Sequence, residues 1–296
     1  MQVLLSPQLF LAALILGALY ALVALGLNLI YGTMRLLNVG HGEIVMLGAY
    51  AAFWSFALLG MGPLPALVLA PAATGLLGFA LYRGLFRRLI AHAAVAERIE
   101  ANSLLLFFGI SVILQNVTAL IFSATFRGYR PFPELVDLGF AAVTGGRLLA
   151  LLVALAAACG AALALRLTPT GLAIRALIQN RSAAALSGID TERLEMGSFV
   201  AGFAVAGLAG ALVSMVEQIS PFMGFPFTVA AFVIIILGGL GNLTGSLLGG
   251  FVLGVLETYG VALTSPNYRS ILIYGVFILV LLIRPQGLLG RAPVVR

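Results

Sequence analysis

The sequence predicts an all-α polytopic membrane protein with about eight transmembrane helices, seven to nine by span length. Three observations predict it. The chain of 296 residues is 62% hydrophobic and 9% charged, whereas packed soluble chains carry about a quarter charged residues. Apolar runs long enough to cross a bilayer recur from end to end. All sixteen basic residues are arginine, and eleven of them cluster between runs: Arg83, Arg87, Arg88 and Arg98; Arg166, Arg175, Arg181 and Arg193; Arg284, Arg291 and Arg296. The pI near 10.0 therefore reflects a positive-inside loop bias, and no nucleic-acid partner is expected.

The first run, Gln8 to Tyr31, contains Asn28 and is followed by Arg35. MQVLLSPQLF has no basic n-region and no clear cleavage site, so this run is expected to remain as a span. Asn38, Gly40, His41, Gly42 and Glu43 then interrupt the apolar pattern before a second run to about Leu59. MGPLP turns the chain, and Leu64 to Tyr82 returns to the first arginine cluster. Asn102 to Phe122 makes a fourth span, and Arg147 to Leu167 a fifth after a loop containing Arg127, Arg130, Pro131 and Pro133.

Thr168 to Arg193 is a charged bridge, too polar for lipid and too helical for a slack loop. Pro169 stops the preceding helix by ring clash and a missing N–H. A short helix is expected from near Gly171. Ala173, Ile174, Leu177 and Ile178 share one face, and Arg175, Gln179 and Ser182 share the other. Gly188 suits a left-handed turn, Asp190 a cap for the next helix, and Glu192 its first turn. By periodicity the bridge is either a shelf that docks a partner or an amphipathic helix resting on the bilayer.

Glu195 to Ile219 is the sixth run, with Gly202, Ala206 and Gly210 at every fourth position for close helix approach. Phe227 to Leu237 is short, GGLGNLTGSLLGG breaks it, and Phe251 to Leu263 resumes. Two spans and a re-entrant hairpin both fit. A final span runs through Ile283. This alternation puts the amino terminus outside and the carboxyl terminus in the cytoplasm. Twelve arginines (Arg35 plus clusters of four, four and three) then lie inside, and Arg127, Arg130, Arg147 and Arg269 outside. Segments 8–167 and 195–284 hold the spans, 168–194 the bridge and 285–296 a cytoplasmic tail.

Irregular backbone at membrane depth survives where protein buries it or water reaches it. The breaks around Asn38, His41 and Glu43 and around Gly238, Gly239, Gly241 and Asn242 are thus candidate walls of a transport path, with close helix packing as the alternative. Glu257, an ionisable group inside a span, joins that candidate list. His41 and Glu43 have the wrong spacing for a metal pair, His92 is the only other histidine, and no HExxH occurs, so no metal site is expected. Cys159 is the only cysteine and is expected to be a packing residue. There is no phosphate loop, serine elbow or dinucleotide fingerprint, so catalytic residues are not expected and any energy coupling comes from another chain.

Spaced motifs in order, LIYGTMRLLNVGHGEIVMLGAY, GLAIRALIQNRSAAALSGIDTERL, ISPFMG, AFVIIILGGLGNLTGSLLGGFVLGVLET and IRPQGLLG, resemble the LivH-type permease family of branched-chain amino acid ABC importers almost end to end. The resemblance implies a bacterial inner-membrane permease domain with no bound cofactor and no enzymatic activity. It further implies a second related permease, two cytoplasmic ATPases carrying ATP and Mg, and an extracytoplasmic solute-binding protein. The bridge would be the coupling segment, with Gly171, Arg175, Gln179, Asn180, Arg181 and Gly188 meeting an ATPase. Relatives also handle urea or short amides. The rival is a passive small-solute channel built from half-helices whose N-termini meet at Asn38 and Asn242; it lacks an Asn-Pro-Ala signature and leaves the bridge without a task. A membrane enzyme is the third reading.

Overall fold

The computed structural model describes residues 6–60, 62–88, 98–284 and 287. His92, Arg291, Arg296 and all of the 285–296 tail except Gly287 lie outside the described residues. The described chain is all-α apart from one small hairpin, and eight of its helices are long and apolar enough to cross a membrane.

The first helix, α1 (Pro7–Met34), begins with Pro7 in its first turn, where a missing N–H costs nothing. It ends where Arg35 turns left-handed at φ 57° and donates its N–H to the Tyr31 carbonyl at 2.8 Å. From there α2 (His41–Leu59) and α3 (Pro63–Leu81) follow, the latter continuing as a π-helical turn at Tyr82–Phe86. The fourth span is α4 (Ile99–Phe122), and the fifth is α5 (Gly145–Leu167). Between them the chain pairs β1 (Leu135–Asp137) antiparallel with β2 (Ala142–Thr144), where only a loop was expected.

The bridge forms α6 (Pro169–Gln179) and α7 (Arg181–Leu186), followed by α8 (Thr191–Val213). It is two helices rather than the one short helix expected, because Asn180 ends α6 and at once caps α7. Helix α8 stops at Val213 rather than at Ile219; Ile219 instead makes an antiparallel bridge with Arg127. Last come α9 (Gly224–Gly238), α10 (Leu243–Leu263) and α11 (Arg269–Ile283).

The second break is much shorter than its glycine content suggests. Only residues 239–242 leave the helices, and GSLLGG belongs to a full-length α10. The physical reason is packing: a Cβ on Gly250 would run into α1 at Ala21, and one on Gly254 into α1 at Gly17. These glycines let two helices approach at backbone distance, which is the main source of helix association in lipid.

Helix α1 is the axis of the fold, buried over most of its length against α5, α8, α9 and α10. Helix α8 meets α1 where Gly202 lies against Ile30, and on its other side it packs on α2 and α3, with Gly210 against the α2 backbone at Val45. Rings of Phe86, Phe107, Phe199 and Phe203 stack in sequence at 4.5–6.3 Å and pin the ends of α3 and α4 to α8. Cys159 is exposed on α5 rather than packed in the core.

Candidate functional site

The candidate path residues fall in three places. The first is the start of α2, deep in the bundle. His41 Nε2 lies 2.9 Å from the Val23 carbonyl in the middle of α1, and the Gly42 N–H donates to Thr228 Oγ1 of α9 at 2.8 Å. A Cβ on Gly42 would clash with the Gly224 carbonyl, so the N-termini of α2 and α9 abut. The Glu43 side chain lies on Gly224, and its Oε1 is 3.5 Å from Ser111 Oγ of α4.

Asn38, His41 and Glu43 are at most 1% exposed. Nevertheless Asn38 Nδ2 and Oδ1, His41 Nδ1 and Glu43 Oε2 have no hydrogen-bond partner among the described residues. Leaving such a group unmatched costs about 1–3 kcal/mol, so four such atoms around the start of α2 make it a candidate functional site. No group of three acidic, His or Cys side chains placed to hold a metal occurs among the described residues.

The second place is the turn between α9 and α10. Gly239 and Gly241 have φ of 95° and 79°, a backbone that L side chains avoid. Gly238 packs on the backbone of Gly245, and the Asn242 side chain caps α10 through the Gly245 N–H at 3.0 Å. The turn is held by Asn28 of α1, which donates to the Asn242 carbonyl at 2.9 Å and to Ser246 Oγ, and accepts from the Gly241 N–H at 2.8 Å. Gly32 and Gly241 both lie against Ile178 of the bridge, so this turn touches the bridge directly.

Glu257 lies apart from both. Its carboxylate accepts from the Tyr20 hydroxyl at 2.7 Å and pairs with the Arg269 guanidinium at the start of α11. Arg269 also reaches Tyr20 at 3.2 Å and Glu217 at 3.5 Å. Both oxygens of Glu257 are therefore engaged within the chain.

In the bridge, Thr168 Oγ1 accepts from the Gly171 N–H at 3.0 Å, and Gly171 lies against the α5 backbone at Ala164 and Leu165. Leu177 is buried beneath α6, while Arg175 and Gln179 are exposed. Asn180 Oδ1 caps α7 through the Ala183 N–H at 3.0 Å, and Gly188 ends it with φ 80°. Arg181 does not stand free beside Arg175. It bonds Glu195 of α8 at 2.5 and 3.3 Å, and this hydrogen bond holds its guanidinium above the usual arginine range. Leu172 and Leu186, which sequence periodicity did not single out, are 60% and 90% exposed on the same shelf.

Sequence reasoning noted Asn28 but gave it no role, and it missed Thr228, Ser111, Tyr20 and Arg269. The available signal was an isolated polar residue within an apolar run, which shows a cost without naming the partner.

No solved structure matches the chain. The family model described as "Branched-chain amino acid transport system / permease component" matches residues 9–281. Among similar proteins is the high-affinity branched-chain amino acid transport system permease protein LivH of Escherichia coli K12, 31% identical over 289 residues and 94% of each chain. BraD of Pseudomonas aeruginosa, a permease protein of the same description, is 31% identical over 296 residues and likewise 94% of each chain. LivM of E. coli K12 is 30% identical over 293 residues, 91% of this chain and 67% of LivM. The match thus runs through every element from α1 into α11, including both breaks and the bridge, and the chain belongs to the family of branched-chain amino acid transport permeases.

Proposed function

We propose that this chain is the membrane-spanning permease subunit of an ABC importer for branched-chain amino acids, working beside a second permease, two ATPases that hold ATP and Mg, and an extracytoplasmic solute-binding protein. The observation that carries this reading is the 94% mutual coverage with LivH, a relative named for that transport system. The folded shelf supports it: Leu172 and Leu186 are 60% and 90% exposed on a bridge that also packs under α1 and α5.

In this reading the solute passes Asn38, His41 and Glu43, whose unmatched buried atoms suit a zwitterion that must exchange water for polar contacts. Gly238, Gly239, Gly241 and Asn242 form the wall nearest the bridge, and Ile178 transmits bridge movement to them. Glu257 serves as a latch, tying α1, α10 and α11 together through Tyr20 and Arg269. With the short apolar helix α9 counted as a ninth pass beside the eight long spans, the amino terminus lies outside the inner membrane and the carboxyl terminus in the cytoplasm, and the bridge lies on the ATPase side. A channel formed where Asn38 meets Asn242 has no counterpart in the geometry, because the start of α2 abuts α9 and Asn242 is bound to Asn28.

The test is uptake of labelled leucine by vesicles carrying the chain with its genomic neighbours. ATP-dependent uptake that vanishes when the ATPases are inactivated supports the reading. Uptake that persists without ATP sinks it in favour of a channel.

A further inference from the structure

At the bridge end of the bundle, α1, α5, α6 and the start of α10 line a half-open cavity of about 510 Å³. Its polar wall carries three guanidinium groups: Arg35 just beyond α1, Arg166 in the last turn of α5, and Arg175 on α6. Arg175 donates to the Arg166 carbonyl at 3.4 Å, and Arg35 sits over the Tyr31 ring at 5.6 Å. No carboxylate lines the cavity, and none of the three is paired with one among the described residues. Leu243 and Thr244, in the first turn of α10, complete this side and bring a helix N-terminus to it. The other wall is apolar, made by Leu25, Leu165, Ile178 and Leu247.

We propose that this cavity binds a phosphate group, presented by an anionic phospholipid of the adjoining leaflet. Three guanidinium groups and a helix N-terminus match a phosphate in charge, and arginine is the side chain best suited to bind one. The apolar wall matches the acyl chains that come with it. Basic pockets between transmembrane helices are suited to such headgroups. The cavity meets the α9–α10 turn from the bridge side at Gly241 and Asn242, and its lining offers the ammonium of a transported amino acid no carboxylate, Glu100 lying behind Tyr31 and accepting from its hydroxyl at 3.2 Å. A lipid in this place would join α5 and the bridge to α1, and so stiffen the element that moves during transport. The inference needs the membrane placement of the chain but not the identity of its cargo.

The assembled complex, stripped of lipid in neutral detergent, is heated with added phosphatidylglycerol, phosphatidylcholine or inorganic phosphate. Phosphatidylglycerol should raise the unfolding temperature of the wild type above the phosphatidylcholine value, and the Arg35→Gln/Arg166→Gln double variant should lose that increment. An equal rise with inorganic phosphate alone would support the phosphate site and assign it to the free anion. Equal protection by the two lipids, or an unchanged increment in the double variant, would overturn the proposal. Should the double variant fail to assemble, a photoactivatable phosphatidylglycerol is applied to the wild type. It should cross-link to peptides spanning 162–166 or 243–247, and cross-links confined to other peptides would overturn the site. Neither readout involves uptake or ATP, so failure here is separable from failure of the transport reading.

Discussion

Asn28 holds the turn at Asn242 from 214 residues away: its amide donates to the Asn242 carbonyl at 2.9 Å and accepts from the neighbouring Gly241 N–H at 2.8 Å. One buried side chain thus joins the central helix to the turn that touches the bridge through Ile178.

Replacing Asn28 by Leu removes these bonds and the one to Ser246. Interhelical hydrogen bonds in membranes average about 0.6 kcal/mol each, so a loss of roughly 2 kcal/mol is expected. Unfolding in mixed detergent–SDS micelles measures it. A variant as stable as wild type would show that the turn is held by glycine packing alone.

Glu257→Gln leaves the Arg269 guanidinium beside a neutral amide. Arg269 is 40% exposed, which places the cost between that of a surface pair and a buried one, at about 2 kcal/mol. Glu257→Gln/Arg269→Gln should recover part of this loss and of the transport activity. If the double variant is stable but transport stays lost, Glu257 acts on the solute and not as a latch.

The two sides of the bridge should fail differently. Leu172→Asp with Leu186→Asp puts charge on the exposed apolar side chains, so the ATPases should no longer co-purify while the permease still inserts. Arg181→Glu faces a second carboxylate toward Glu195, which is 2% exposed, and should lower the yield of the permease itself. Retention of the ATPases by the Leu172/Leu186 variant would return the bridge to a helix resting on the bilayer.

Topology is read with cysteines at Thr125 and Ser187, both exposed, in a Cys159→Ser background because Cys159 is itself exposed. An impermeant thiol reagent on intact cells should label position 125 and spare 187 until the membrane is opened. The reverse pattern would invert the proposed orientation.

The membrane class, the order of the spans, the bridge and its caps were determined by the sequence itself. Each rests on local chemistry: Pro169 cannot continue α5, Asp190 accepts the Arg193 N–H at 3.1 Å, and Gly188 takes the left-handed turn. Such signals act within a few residues and need no distant partner. The tertiary structure decided what the glycines and isolated polar residues do. Gly250 reads either as the end of a break or, with Gly254, as a close helix contact, and the structure decides for the contact because α1 occupies the space where their side chains would be. Arg181 is exposed, as its place in the bridge implies, but its guanidinium is bound to the buried Glu195 of α8. Glu257, Tyr20 and Arg269 become one network only when α1, α10 and α11 are packed side by side. In lipid every apolar face is equally compatible with the solvent, so periodicity cannot say which face meets a neighbour; close backbone approach and the pairing of buried polar groups choose the partners.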